Sequence, residues 1–315
     1  MSQFGKVAVL VGGISAEREV SLKSGAAVLA GLLEKGIDAH LVDANPNNID
    51  SLRAQGFDRA FVVLHGRWGE DGVVQGALQA IAMPYTGSGV LGCALAMDKV
   101  RSKQVWQSLG LPTADYRVLT SEEDLDGLIN DLGLPLFLKP AKEGSSVGIG
   151  KVNKAEDLLE VYQQAAKVGD DVLAEQFISG AELTVGVLNG KALPIVRMST
   201  ENEFYDFEAK YLSDDTQYFC PSGLDSELEN HIQDLALKAF NALGCEVWGR
   251  VDVMLDENQR PLLLETNTIP GMTDHSLVPM AAKQAGLSFP DLVETILATT
   301  LTNHRQFERV QGGKA

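Results

Sequence analysis

The chain has 315 residues, of which 45% are hydrophobic and 22% charged, and its formal net charge at pH 7 is −17. So acidic a surface argues against nucleic acid or an anionic membrane as the main partner. The three cysteines lack metal-binding or disulfide spacing, which predicts reduced thiols in a cytoplasmic protein. No apolar run is long enough to span a membrane, and the length allows two or three compact units.

The first region alternates strands with helices. Apolar runs at residues 6–11, 37–42 and 60–64 predict strands of a parallel, Rossmann-like sheet. The first turn lacks the G-x-G-x-x-G fingerprint, so a nicotinamide dehydrogenase is poorly supported. Glu17 lies in the first turn of the first predicted helix and is a candidate ligand for a substrate ammonium group. The residues alone favour the alternative, a carboxylate that interacts with the helix dipole.

A glycine-rich loop at residues 65–72 follows the third predicted strand. Strand ends in such sheets face ligand clefts, so His65 is a candidate base or substrate contact. The alternative is a structural histidine, which is the commoner role for a lone one. The sheet pattern stops near residues 86–92, and we predict the first domain boundary close to Met97.

The next candidate is a glycine- and serine-rich loop at residues 141–150, which follows Lys139 at the end of a predicted strand. The backbone N–H groups of such a loop can bind phosphate oxygens, although it is no Walker A motif. The alternative is a mobile hairpin tip.

Residues 175–178 are a candidate hinge strand. Its polar edge would meet a base or ribose, and its apolar side chains would flank a planar ring. Further on, residues 201–221 are polar and aromatic without clear periodicity, which predicts a functional loop. Within it, Lys210 and Tyr211 are placed to reach a phosphate and a substrate; the alternative is a purely solvated loop.

Residues 250–267 predict a hairpin with two facing carboxylates. With a loop at residues 257–260, Asp256 would pair with Pro261, and Asp252 would then lie opposite Glu265. Arg250 shares this face, and Asn267 shares it if the chain stays extended; Leu262 and Leu264 would point into the core.

This face of the hairpin suits a cation. Two opposed carboxylates repel each other, and an oxygen-only ligand set suits magnesium or manganese rather than zinc. Arg250 would then act as an anion or oxyanion clamp. The alternative is a surface hairpin with alternating charges. The Asn-Thr-Ile-Pro-Gly-Met exit at residues 267–272 favours a site, because its tight turn places backbone amides near the metal.

In this order, the motifs resemble the D-alanine–D-alanine ligases of the ATP-grasp superfamily over nearly the whole chain. The matching stretches are GGISAEREVSL at 12–22, HGRWGEDG at 65–72, MDK at 97–99, LKPAKEGSSVGI at 138–149, EAKYLSDDTQYFCP at 208–221, GRVDVML at 249–255 and LETNTIPGMTDHSLVPMAAKQAG at 264–286.

The resemblance implies a set of nucleotide and metal ligands. The implied ATP site consists of lysines on the phosphates, serines of the phosphate-covering loop, hinge positions at the adenine and a carboxylate at the ribose. These residues are Lys99, Lys139, Lys210, Ser145, Ser146, Glu175, Phe177, Ile178 and Glu182. Two magnesium or manganese ions would be held by Asp252, Glu265 and Asn267, with Glu265 shared between them.

The resemblance also implies the substrate contacts. Glu17 would bind the ammonium of the first D-alanine, while Ser276 and Leu277 would hold the carboxylate of the second. Arg250 and the Gly271 backbone would form the oxyanion site. A hydrogen-bonded trio beside the second substrate would consist of Glu17, Ser145 and Tyr211.

The expected fold is α/β, with α+β character in the C-terminal parts: an ATP-grasp fold with a Rossmann-like N-terminal domain. The expected domains are residues 1–97, a central lobe at 98–183 and a C-terminal lobe at 184–315. The implied activity joins two D-alanines with ATP for peptidoglycan synthesis, in a cytoplasmic homodimer. Alternatives are a D-alanine–D-lactate or D-alanine–D-serine ligase, or an inactive nucleotide-binding regulator.

Overall fold

The computed structural model describes residues 3–144, 148–169, 171–199, 217–273 and 275–302. The first sheet is parallel, with the order β2-β1-β3. Its strands and crossover helix are β1 (Val7–Gly12), α1 (Arg18–Glu34), β2 (Ala39–Ala44) and β3 (Arg59–Val62). The central strand β1 is buried along its whole length because it is apolar on both faces. The Rossmann-like prediction is therefore confirmed for this region.

Three helices and one short 3-10 helix complete the first third of the chain. They are Ile49–Ser51 (3-10), α2 (Val73–Ala80), α3 (Val90–Met97) and α4 (Lys99–Ser108). Asp98 begins α4 as its N-cap, because its carboxylate accepts a hydrogen bond from the backbone N–H of Arg101 at 3.0 Å.

The second sheet is antiparallel, with the order β4-β7-β5-β6. Its elements are β4 (Tyr116–Leu119), the 3-10 helix Glu122–Leu125, α5 (Leu128–Leu132), β5 (Leu136–Pro140), β6 (Gly150–Val152), the 3-10 helix Ala155–Asp157, α6 (Leu158–Ala166) and β7 (Val172–Gln176). Apolar side chains of α6, including Tyr162 and Ala165, pack on this sheet and form its core.

The third sheet has the order β11-β10-β8-β12-β13, with β9 paired to β8, and its described pairings are antiparallel. Its strands are β8 (Gly180–Leu188), β9 (Lys191–Ala192), β10 (Val196–Ser199), β11 (Gln217–Phe219), β12 (Trp248–Asp256) and β13 (Pro261–Asn267). The helices of this part are α7 (Ser226–Ala242), α8 (Leu277–Gln284) and α9 (Phe289–Thr302). Residues 177–179 join β7 to β8, so they link the second sheet to the third.

The last helix returns to the first sheet. Leu292 and Val293 of α9 belong to the same buried cluster as Val28 and Leu32 of α1. The approach is close, since a Cβ atom at Gly31 of α1 would lie 3.0 Å from a Val293 methyl group. Among the residues that the structure describes, no helix is both long enough and apolar enough to cross a membrane.

Candidate active site

The hairpin of β12 and β13 carries three charged side chains of the predicted site, Arg250, Asp252 and Glu265. Its register places Asp252 opposite Glu265 and Arg250 opposite Asn267, as predicted. Residues two apart on a strand share a face, so the four polar side chains converge on one side of the sheet.

The turn end of this hairpin differs from the prediction. Pro261 pairs with Leu255 rather than with Asp256, and a β-bulge between Asp252 and Val253 then restores the expected pairing. The bulge adds one residue to β13. Between the turn and the bulge, the side chains of β13 that point into the core are therefore the opposite set from the one predicted. Leu263 is therefore fully buried, while the predicted core residues Leu262 and Leu264 are only half-buried.

The Asp252 carboxylate is buried and held by four donors. Arg250 donates to both carboxylate oxygens, each at 2.8 Å. The hydroxyl of Thr184, on the neighbouring strand β8, donates at 2.5 Å, and the Asn267 amide donates at 3.0 Å. The position of this carboxylate is thus determined by three strands together. Thr184 was missed by the sequence analysis, because its pairing with Asp252 depends on which strand lies beside β12.

The donor chemistry of this set fits a hard divalent cation. Two carboxylates and an amide face one another, and a half-turn of the Asn267 amide would present its oxygen instead of its NH₂ group. Within the described ranges, no three His, Cys, Asp or Glu side chains form a metal-binding group. The candidate set therefore consists of two carboxylates, Asp252 and Glu265, completed by Asn267.

A cleft opens on this face, between the hairpin and the loops at the carboxyl ends of β1 and β3. Many of the predicted substrate, catalytic and metal residues line it, together with Lys99 of the predicted ATP site: Glu17, His65, Arg250, Glu265, Asn267, Gly271, Ser276 and Leu277. The structure thus brings together residues from the N-terminal and C-terminal thirds of the chain. Of the predicted metal set, Asp252 is not among the lining residues and lies beneath Arg250.

Lys99 connects the cleft to the glycine- and serine-rich loop at residues 141–150. Its ammonium lies 3.4 Å from the Glu265 carboxylate and donates to the Glu143 carbonyl oxygen at 2.7 Å. The Glu143 side chain forms an ion pair with Arg67, in the loop after β3. A Cβ atom at Gly144 would lie 2.9 Å from a Glu17 carboxylate oxygen, so the backbone at Gly144 packs closely against Glu17. Ser145, Ser146, Lys210 and Tyr211 lie outside the described residues.

The predicted nucleotide residues lie along β5, β7 and the link to β8. The Glu175 carboxylate is buried and forms ion pairs with Lys139 of β5 and with Lys103 of α4. Phe177 packs against Phe137, with ring centroids 5.5 Å apart. Ile178 and Glu182 are half-buried, Ile178 in the link and Glu182 in β8.

Lys103 is a residue of this group that the sequence analysis missed. Its spacing of four from Lys99 on one helix was the available signal, since such residues share a helix face. The spacing by itself does not show that Lys103 turns inward to Glu175.

Two titratable side chains in the cleft are strongly affected by burial. Burial and the nearby Arg250 charge lower the pKa of His65 to about 4, against the opposing effect of a hydrogen bond with the Ile269 backbone. His65 is therefore neutral at neutral pH. Its Nε2 atom has no hydrogen-bond partner within the described part of the chain. His65 lines the cleft, so it is a candidate contact for a polar ligand.

Glu70 joins the loop after β3 to the exit of β13. Its carboxylate accepts hydrogen bonds from the backbone N–H groups of Gly66 at 2.8 Å and Ile269 at 3.1 Å. Burial and the nearby Glu17 carboxylate raise the pKa of Glu70 to about 8, against the opposing effect of the two backbone hydrogen bonds. Glu70 also lines the cleft.

The raised pKa of Glu70 predicts a pH-dependent stability. Between pH 4.5, the ordinary glutamate pKa, and about pH 8, Glu70 is protonated in the folded protein but ionised in the unfolded chain. The raised pKa therefore contributes to the free energy of unfolding fully below pH 4.5, and this contribution is lost as the pH rises towards 8. We expect Glu70→Gln to have a lower Tm than the parent at pH 5, because the glutamine amide makes a weaker contact. At pH 8 the parent loses the contribution of the protonated Glu70 and the variant does not, so the difference in Tm should shrink by several degrees. Thermal unfolding at several pH values checks this, with the exposed Glu156→Gln as control. A gap that stays constant with pH would contradict the assignment.

Comparisons with known proteins agree with this geometry. The family model described as "D-ala D-ala ligase C-terminus" matches residues 105–298, and "D-ala D-ala ligase N-terminus" matches residues 44–88. A protein named D-alanine–D-alanine ligase from Idiomarina loihiensis is 57% identical over 302 residues, covering 95% of this chain and 98% of that protein.

Two solved structures are similar over almost the full length. The D-alanine–D-alanine ligase from Bacillus anthracis, complexed with ATP, has a TM-score of 0.83 at 32% identity, covering 96% of this chain and 99% of that one. The VanG D-Ala:D-Ser ligase from Enterococcus faecalis has a TM-score of 0.82 at 27% identity, covering 95% of this chain and 100% of that one. From the family models and the identity to its relatives, we conclude that the chain belongs to the D-alanine–D-alanine ligase family.

Proposed function

We propose that this protein joins two D-alanine molecules into D-alanyl-D-alanine, with ATP converted to ADP and phosphate, as a step of peptidoglycan precursor synthesis. The supporting observation is the composition of the cleft. It combines a carboxylate suited to an ammonium group, Glu17, with Lys99 and Arg250, which suit phosphate and a developing oxyanion.

The first step activates a carboxylate that would otherwise be a poor acyl donor. The ammonium group of the first D-alanine binds Glu17, and its carboxylate attacks the γ-phosphorus of ATP, which releases ADP. Lys99, Lys139 and Lys210 neutralise the charge on the phosphates, which is the main requirement in phosphoryl transfer. The product of this step is an acylphosphate.

The second step forms the peptide bond. The carboxylate of the second D-alanine binds at Ser276 and Leu277, and its amine attacks the acylphosphate carbon after losing a proton. Arg250 and the Gly271 backbone stabilise the tetrahedral oxyanion, which collapses with loss of phosphate. Glu17, Ser145 and Tyr211 order the second substrate, and His65 lines the same cleft as Glu17.

Two divalent cations, magnesium or manganese, would be held by Asp252, Glu265 and Asn267. When bound, such ions neutralise charge on the transferring phosphoryl group. For the chain itself this means that Arg250 must share Asp252 with a cation, or move towards the substrate oxygens. The adenine would lie against Glu175, Phe177 and Ile178, with its ribose at Glu182.

Three broader assignments complete the proposal. The chain divides into residues 1–97, 98–183 and 184–315, it dimerises through the first of these parts, and it works in the cytoplasm, where ATP is available. The three cysteines are free thiols, in keeping with a reducing compartment.

The similarity to VanG favours a second candidate, the joining of D-alanine to D-serine. An ester product with D-lactate is the related alternative. D-serine would attack the same acylphosphate through its amine, and D-lactate would attack it through its hydroxyl group.

Phosphate release tests the proposed reaction. Purified protein with ATP and magnesium is given D-alanine, L-alanine, or D-alanine with D-serine or D-lactate, and the products are identified by mass. We expect release and the D-alanine dipeptide with D-alanine alone, and background release with L-alanine. A mixed product formed in preference to the dipeptide would favour the second candidate, and no release with any substrate would refute the ligase assignment.

A further inference from the structure

A buried cluster of three charged side chains lies where the second sheet meets α4. Glu175 of β7 lies between two lysines: Lys103 is 2.5 Å from one carboxylate oxygen, and Lys139 forms an ion pair with the other. The Lys103 side chain is 0% exposed, whereas the Lys139 side chain is 11% exposed. Of the two lysines, Lys139 is therefore the one with access to solvent or to a ligand.

Lys103 is also anchored on its other side. Its ammonium donates to the Thr113 hydroxyl at 2.5 Å and to the Ala114 carbonyl oxygen at 3.4 Å. The Thr113 hydroxyl in turn donates to the Leu263 carbonyl oxygen of β13 at 2.8 Å. Lys103 thus connects Glu175, through the Thr113 hydroxyl, to β13, the strand that carries Glu265.

The charges of this cluster add up to +1. The two lysines lower the pKa of Glu175 to about 2, against the opposing effect of burial, so its carboxylate is ionised at neutral pH. Burial lowers the pKa of Lys103, and the neighbouring Glu175 counteracts this. If Lys103 were neutral, Glu175 and Lys139 would form a pair without net charge, and Lys139 would be a weaker phosphate ligand.

We propose that Lys103 is a positioning residue for ATP: it neutralises and anchors Glu175, so that the positive charge of Lys139 is directed to the nucleotide phosphates. This inference rests on the proposed placement of ATP at Lys139 and Glu175. It assigns to a fully buried lysine a role in nucleotide affinity, exerted through two other side chains.

Lys103→Met tests the role, because it removes the charge and keeps an unbranched side chain. We expect the Kd of a non-hydrolysable ATP analogue, measured by calorimetry, to rise about tenfold or more, in line with the loss of one partner from a buried charge pair. The KM for ATP should rise in parallel, and the KM for D-alanine should stay within about twofold. Arg59→Met is the matched control, since Arg59 is another buried cation, far from the second sheet, that binds Thr300.

A second variant separates a charge effect from a general structural one. Glu175 is itself placed at the adenine, so Lys103→Met is compared in the parent and in a Glu175→Gln background. Without the Glu175 charge there is no carboxylate for Lys103 to neutralise, so Lys103→Met should raise the Kd of the analogue much less in that background than in the parent. If Lys103→Met raises the Kd equally in both backgrounds, or if Arg59→Met raises it as much as Lys103→Met does, the proposal is wrong.

Two further outcomes are also decisive. If Lys103→Met does not fold, Thr113→Val replaces it, because it removes one anchor of Lys103 and leaves all charges. A raised Kd for the analogue supports the proposal and an unchanged Kd overturns it.

Analogue binding is independent of the amino-acid substrate. A parent protein that binds the analogue but releases no phosphate with D-alanine would refute the ligase assignment and leave this test intact.

Discussion

Replacing Glu265 with glutamine is expected to lower phosphate release by roughly 10²–10³-fold or more. Glu265 faces Asp252 across the hairpin, lines the cleft and lies 3.4 Å from the Lys99 ammonium. Glutamine keeps the size of the side chain and removes its negative charge. The variant therefore loses the attraction for a divalent cation, and Lys99 loses its charged partner.

The measurement is phosphate release with D-alanine over a range of magnesium concentrations. The magnesium concentration for half-maximal rate should also rise in Glu265→Gln. Glu257→Gln is the matched control, because it makes the same change at an exposed position in the turn of the same hairpin. Near-normal activity of Glu265→Gln would remove the metal assignment and leave the hairpin as a structural feature.

Arg250→Lys should lower kcat by roughly 10²-fold, a change typical of losing one oxyanion donor. Arg250 donates to both oxygens of Asp252 through two nitrogens, each at 2.8 Å. Lysine retains the charge but provides a single point of attachment, so it cannot hold Asp252 in two places and also reach a developing oxyanion. The KM for ATP should change less than kcat, because the lost contact is made mainly in the transition state.

The same hairpin provides a control for this substitution. Arg260 pairs with Asp256 at 2.7 Å, and its side chain is 72% exposed. Arg260→Lys therefore alters an arginine–aspartate pair outside the cleft and should leave kcat unchanged. Equal losses in the two variants would indicate a general effect on the hairpin, and an unchanged kcat in Arg250→Lys would contradict its place at the oxyanion.

Local periodicity was enough to predict which hairpin side chains share a face. The alternation around Asp252 placed Arg250 on the same side. Glu265 does lie opposite Asp252, but this pairing was predicted from a wrong register at the turn, where Pro261 pairs with Leu255 rather than with Asp256. A bulge corrects the offset before the carboxylates, and no feature of the local pattern signals it, because a bulge is stabilised by packing on neighbouring strands.

Short-range patterns in the sequence were sufficient to predict the main elements and the parallel first sheet. Several of the cleft residues, such as Lys99, Ser276 and Leu277, were predicted only from the resemblance to a known family. The roles of Ser145, Ser146, Lys210 and Tyr211 stay predictions. Tertiary packing determined which distant groups meet: Thr184 with Asp252, Glu70 with Ile269, and Lys103 with Glu175. The physical reason is that a buried polar group must find a partner, and the partner is determined by how sheets and helices pack rather than by its position in the sequence.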